Sequence, residues 1–135
     1  MSVYFWEKVI LMAKSEKKIL IVDDSTTNQV LLEAILEEEG YSAQTAFGAV
    51  EALKLMEKNQ FDLVLLDLLM PQVSGFDFLK KIKENSAFAN VPVVVVSAVG
   101  SPENEELVKS LGARSLFSKP IDIPLFLEEI KTVLA

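Results

Sequence analysis

Three carboxylates, a hydroxyl and an ammonium in this 135-residue chain each follow a short apolar run. Asp23 and Asp24 come after residues 19–22 (ILIV), Asp67 after residues 63–66 (LVLL) and Ser97 after residues 93–96 (VVVV). Lys119-Pro120 follows the weaker run 115–117. Taken singly, Asp and Ser in such places are ordinary turn formers and helix caps, and a lysine there is an ordinary solvated charge. Brought to one edge of a sheet, however, three acids repel one another unless positive charge sits among them. The chain contains no histidine and no cysteine. That excludes thiol nucleophiles, Ser–His–Asp triads, disulfide frameworks and imidazole or thiolate metal sites. A metal held by oxygen alone is a hard cation, and Mg²⁺ suits a few carboxylates, water and a phosphate oxygen. A carboxylate is a competent nucleophile toward a phosphoryl group. A lysine opposite it supplies a compact charge for the transferring oxygens. Asp67 lies between Leu66 and Leu68 with no acid beside it, so it is the candidate nucleophile; the adjacent Asp23 and Asp24 read as a metal-binding pair.

The elements that must position these groups alternate along the chain. The runs at 19–22, 63–66 and 93–96 are continuously apolar, as strands covered on both faces of a parallel sheet are. Residues 42–46 and 115–117 are weaker candidates and suit its edges. Between them lie helical patterns. Val30, Leu31, Ala34 and Ile35 predict one face, with Gly40 as the stop. Ala49, Ala52, Leu53 and Met56 predict a second helix, and Phe76, Leu79 and Ile82 a third. Ser101-Pro102 reads as a cap plus first-turn proline for a fourth that stops near Gly112. Asp122 precedes a fifth stripe of Phe126, Leu127, Ile130, Val133 and Leu134. Five strand–helix units in succession predict an α/β fold, a doubly wound five-stranded parallel sheet with helices on both faces. Ligands in such sheets collect beyond the carboxyl ends of the strands, where all five polar residues would stand.

The set Asp23-Asp24, Asp67-Leu68-Leu69-Met70-Pro71 with Gly75, Ser97-Ala98 and Lys119-Pro120 resembles the receiver domain of bacterial response regulators. The intervals agree as well: 43 residues from Asp24 to Asp67, 30 to Ser97 and 22 to Lys119. The likeness implies a flavodoxin-like strand order of 2-1-3-4-5 over residues 17–135. It further implies that Asp67 takes a phosphoryl group from a phosphohistidine on a sensor histidine kinase or histidine phosphotransfer protein. By the same resemblance, Mg²⁺, or Mn²⁺ in its place, would rest on Asp24 directly, on Asp23 partly through water, on Asp67 and on the backbone carbonyl of Leu69. Lys119 would contact the phosphoryl oxygens, Ser97 would turn its hydroxyl to them, and the Lys119–Pro120 bond would be cis. Phe117 is assigned the aromatic switch position, its ring moving inward behind Ser97 and reshaping the surface of the fourth helix, fifth strand and fifth helix. The role implied is a single-domain response regulator, not an enzyme beyond its own phosphorylation and dephosphorylation. It would signal to a downstream protein or pass the phosphoryl group on.

Phe117 lacks the hydroxyl of the tyrosine that is frequent at its assigned position in that family, and other residues depart as well. Leu69 and Val99 stand two places after Asp67 and Ser97, where polar side chains can orient an attacking water; both are apolar here. Other readings fit less well. A haloacid-dehalogenase-type phosphohydrolase wants a second acid two residues after its nucleophile in the first strand, but Ser25 follows Asp23 and Thr26 follows Asp24 at that spacing. A nucleotide-binding protein wants a glycine-rich phosphate loop, and neither common form is present. A binding-only receiver would have lost a pocket residue, and all five are there.

With 20 acidic against 13 basic residues and a net charge of −7, direct nucleic-acid binding is not expected. No stretch supplies the ~20 apolar residues that a bilayer span needs, so a cytoplasmic protein without membrane insertion is expected. Residues 1–16 form an extension, expected as an added amphipathic helix. Tyr4, Phe5, Trp6, Val9, Ile10 and Met12 exceed one helical face, so residues 1–15 also suggest a homo-oligomer surface.

Overall fold

The computed structural model describes residues 3–7 and 17–135. From Lys17 onward strands and helices alternate: β1 (Lys18–Val22), α1 (Thr26–Glu38), β2 (Ser42–Ala46), α2 (Ala49–Lys58), β3 (Leu63–Leu66), α3 (Gly75–Glu84), β4 (Val93–Ser97), α4 (Pro102–Ser110), β5 (Ser115–Ser118) and α5 (Ile123–Leu134). The strands form one parallel sheet in the order β2-β1-β3-β4-β5. Chain composition explains the order. β1, β3 and β4 are buried almost throughout and lie inside the sheet, whereas β2 and β5 carry half-exposed residues and lie at its edges.

Alternation along each strand divides the core in two. Leu20, Val22, Val64, Leu66, Val93 and Val95 face α2, α3 and α4. Ile19, Ile21, Leu63, Leu65, Val94 and Val96 face α1 and α5. Four helices open on a side-chain cap: Ser25, Ser74, Ser101 and Asp122 accept the backbone N–H of Asn28, Asp77, Asn104 and Leu125. Gly40 and Gly112, both at positive φ, follow α1 and α4. Residues 3–7 are helical, and the remainder of the expected N-terminal helix, residues 1–2 and 8–16, lies outside the described residues.

Two faces differ from the sequence reading. In α1 the inward residues are Gln29, Leu32 and Leu36, while Val30 and Leu31 are 60% and 51% exposed and Ala34 also faces solvent. Residues 30–36 carry two apolar stripes, and the polar Gln29 interrupts the one that is buried. The rotation is set by Ser25 at the N-cap and by two hydrogen bonds from Gln29, neither of which registers as hydrophobic periodicity. In α3, Phe78 rather than Phe76 lies deepest, beside Leu79 and Ile82; Phe76 is half-buried.

The α1 rotation has a measurable consequence. Leu32→Ala should lower the unfolding free energy by about 2–5 kcal/mol, while Val30→Ser should stay within about 0.5 kcal/mol of the parent. Urea titrations of the two variants check this, and the reverse ranking would contradict the packing described.

Candidate functional site

Neighbouring β1 and β3 run in register, Val22 beside Leu66, so the residues that follow them leave the sheet side by side. The chain reverses direction here: β1 leads to the edge strand β2, whereas β3 leads the other way toward β4 and β5. A crevice at such a switch point has two diverging loops for walls. Asp67 N–H still donates to Val22 O at 3.0 Å and Asp23 N–H to Ala46 O at 3.0 Å, so ladder bonds carry on into the site.

Asp23 and Asp67 are 2% and 6% exposed, while Asp24 is exposed at the rim. One oxygen from each of the three carboxylates lies within 4.8 Å of the others. At that separation each pair of like charges costs about 3 kcal/mol for an effective dielectric of ~20. Lys119 offsets part of this, its Nζ lying 2.9 Å from Asp23 Oδ2 and 3.5 Å from Asp67 Oδ2. The other oxygens face backbone donors: Ser25 N–H on Asp23 Oδ1 at 2.8 Å and Leu69 N–H on Asp67 Oδ1 at 3.2 Å. Three carboxylates against one ammonium leave two negative charges uncompensated. An oxygen donor set with that deficit fits one hard divalent cation.

Lys119 comes from the far side of the pocket. Its N–H donates to Ser97 O at 3.0 Å, and its bond to Pro120 is cis. Ser97 is fully buried, and its Oγ accepts the Val99 N–H at 3.4 Å. The four charged residues singled out in the sequence therefore meet, and Ser97 adjoins them through Lys119.

Phe117 does not fit its assigned place. β4 and β5 pair Val95 with Leu116, Val96 with Phe117 and Ser97 with Ser118. Phe117 therefore shares a face with Val96, and its ring packs edge-on against Phe126 of α5, centroids 5.5 Å apart. Ser97 lies in phase with Val95 on the opposite face, so the ring cannot enter space vacated by Ser97. Leu116 holds that position, packed against the core under α2–α4. Phe117 thus lies one position out of phase with the switch place expected for it.

Three supports carry weak sequence signals. Gln29, buried in α1, donates from Nε2 to Asp23 O at 2.7 Å and Ala46 O at 3.0 Å, bracing the backbone of the first acid. Gly75 N–H donates to Leu68 O, and a Cβ on Gly75 would stand 2.3 Å from Asp67 O. Only glycine lets α3 start so close to the acid. At the opposite wall Ser118 Oγ donates to Gly100 O at 3.1 Å, and a Cβ on Gly100 would meet Ser118 Oγ and Leu116 Cδ2. The loop after β4 thus rests directly on β5.

Comparison with known proteins gives the family. Residues 19–131 match the model of the response regulator receiver domain. The chain belongs to that family. The polar-differentiation response regulator DivK of Brucella anthropi is 34% identical over 118 residues, 87% of this chain and 96% of that protein. Among solved structures, the chemotaxis protein CheY4 of Vibrio cholerae matches with a TM-score of 0.81 and 31% identity over 88% of this chain and 99% of that one. The receiver domain of Francisella response regulator 1452 matches with a TM-score of 0.82 and 28% identity, covering 88% and 97% of the two chains. This receiver domain therefore belongs to two-component signalling. Among its described residues, no helix is long and apolar enough to cross a membrane.

Replacing Gln29 tests the bracing of the acidic pair. Gln29→Leu leaves Asp23 O buried without its side-chain donor, whereas Ala46 O keeps the Asp23 N–H. The expected loss is about 1–3 kcal/mol of stability, read by urea unfolding, and an unchanged midpoint would count against the brace.

Proposed function

We propose that Asp67 is the phosphoacceptor of this receiver domain. The observation that carries the reading is the meeting of Asp23, Asp24, Asp67 and Lys119 in one crevice, two of the carboxylates buried. The phosphoryl donor is a phosphohistidine on a sensor histidine kinase or a histidine phosphotransfer protein. An oxygen of Asp67 attacks phosphorus in line with the P–N bond. The new P–O bond forms as P–N breaks, and the electron pair leaves on the imidazole nitrogen. Placement and charge neutralisation account for most of the barrier lowering in such a transfer.

Each side chain has a part. The Leu69 N–H holds Asp67 Oδ1, which leaves Oδ2 on the Lys119 side as the attacking atom. Lys119 reaches the transferring oxygens by giving up part of its contact with Asp23. Asp23, Asp24, Asp67 and the Leu69 carbonyl would hold Mg²⁺, with Mn²⁺ as a substitute. The ion, when bound, would neutralise phosphoryl oxygens during transfer. Ser97 donates its hydroxyl to the phosphoryl group, trading away the 3.4 Å contact from Val99 N–H.

Recruiting Ser97 pulls the loop that follows β4. That loop lies on Leu116 and is joined to Ser118 through Gly100, so its movement reaches β5. A dianionic phosphoryl group in place of the single charge of the Asp67 carboxylate adds about one negative charge, and that charge with its new acceptor oxygens favours an arrangement that is minor without them. The surface of α4, β5 and α5 changes with it, and a downstream protein reads that surface or takes the phosphoryl group onward.

Incubation with Mg²⁺ and a small acyl phosphate, followed by intact-mass measurement, should add one phosphoryl group. Asp67→Asn should take up none, and Lys119→Ala should label about 10²-fold more slowly. Equal labelling of parent and Asp67→Asn would refute the assignment of the acceptor.

A second outcome concerns lifetime. Leu69 is 54% exposed at the rim and Val99 carries no polar group, so neither orients a water for attack on phosphorus. The phosphorylated protein should persist well beyond seconds, and Leu69→Asn should shorten its life. Decay of the parent within seconds, unaltered by that substitution, would defeat this account.

A further inference from the structure

A groove of about 490 Å³ opens between α1 and the β5–α5 connection, beside the acidic crevice. Leu31, Leu32, Pro120, Ile121 and Ile123 line it together with Lys119, which also contacts Asp23 and Asp67. Its apolar character continues onto the surface, where Leu31 is 51%, Ile123 42% and Leu125 57% exposed. At the other end of the chain, in helical residues 3–7, Val3 is 74%, Tyr4 71%, Phe5 45% and Trp6 53% exposed. The molecule thus presents an apolar, concave surface and an apolar, aromatic, convex one, and exposed patches of this kind mark interaction sites.

We propose that the aromatic segment of one copy docks into the α1/β5–α5 groove of a second copy, and that the exchange is mutual. Chain length allows either origin, since the nine residues 8–16 can span ~30 Å and β1 is five residues long. Area favours the second copy. A fully buried aromatic side chain covers roughly 150–250 Å². Tyr4, Phe5 and Trp6, on average a little over half exposed, inserted twice about a two-fold axis therefore supply about 500–850 Å² and, with a like area of groove, about 1,000–1,700 Å². That approaches or reaches the ~1,200–2,000 Å² of stable interfaces, whereas docking within one chain buries half as much. Within the single chain, Tyr4 and Trp6 are exposed rather than covered by their own domain.

Because Lys119 lines the groove, the docked segment sits beside the entrance to Asp67. Association and access by a protein phosphodonor are then mutually exclusive. That consequence rests on the function proposed above; the association itself does not.

The test uses the full, unphosphorylated chain, so its result is separate from any result on Asp67. Sedimentation velocity across a dilution series should show the mass rising from 15.0 kDa toward twice that value. Trp6, the only tryptophan, should shift its emission to the blue in step with the mass. Trp6→Ala and Leu31→Glu should each weaken association about thirtyfold or more, with far-UV circular dichroism confirming the fold. Ile123→Lys, on the opposite lip, should repeat the effect and guards against misfolding of the α1 variant. A one-chain mass at every concentration overturns the proposal. So does a dimer that survives Leu31→Glu and Ile123→Lys. A blue-shifted emission independent of concentration, at one-chain mass, would assign the groove to the chain's own segment and also reject the second copy.

Discussion

Buried negative charge governs the design of this domain. Asp23 and Asp67 are nearly inaccessible, their carboxylates lie within 4.8 Å of each other and of Asp24, and the positive partner in contact is Lys119. Removing charge from water costs several kcal/mol per ion even after relaxation, and an opposite charge offsets this only when the geometry is good. The fold therefore supplies geometry. Two central strands in register deliver Asp23 and Asp67, and a lysine from the far end of the sheet closes the triangle across 96 residues of sequence. What remains is a deficit of two charges in a crevice open to solvent on one side. Such a place favours a divalent cation and then an anion whose own charge that cation balances.

The loops around the crevice follow from that need. Gln29 fixes the carbonyl of Asp23 from below, and Ser25 caps α1 while its N–H holds the same residue's Oδ1. Gly75 lets α3 begin against the backbone of Asp67. These contacts hold the β1 and β3 sides of the site still. The β4–β5 side is built differently: Ser97 accepts a long 3.4 Å bond, Gly100 O takes one hydroxyl from Ser118, and Asn104 Nδ2 ties Val99 O to α4 at 2.6 Å. A firmly braced wall presenting Asp67, the proposed acceptor, and a second wall held through exchangeable side-chain bonds would suit a group whose negative charge grows by about one unit on phosphorylation.

Much of this was legible in the sequence. Continuous β-branched and leucine runs reveal buried parallel strands because such strands are covered on both faces. Once the strands are parallel, the residue after each is obliged to stand at one edge, which is how Asp23, Asp24, Asp67, Ser97 and Lys119 could be grouped. The buried face of α1 was not legible, since residues 30–36 carry two apolar stripes and the choice between them lies in Ser25 and Gln29, polar residues that periodicity ignores. Gly75 and Gly100 were similarly opaque, because the backbones that crowd them arrive from elsewhere in the chain.

The phase of β5 shows how much depends on a single residue. Successive strand residues point to opposite faces, so an assignment one place out moves a side chain through the sheet. Phe117 packs on Phe126 beneath α5 and belongs to the core shared with α1. Leu116 shares the face of Ser97 and touches the loop at Gly100. Any conformational signal from Ser97 must therefore pass first to an aliphatic side chain and to the Ser118–Gly100 bond. A leucine can fill a space but offers no ring edge and no hydroxyl to fix its inward position. The hydrogen-bonding share of the coupling then falls to Ser118, whose hydroxyl can follow or release the Gly100 carbonyl as the loop moves. Lys119 is the next residue, so the short segment that bonds the loop at Gly100 also holds the ammonium near Asp67. In the proposed switch, sensing and charge compensation would be joined through the one peptide bond between Ser118 and Lys119.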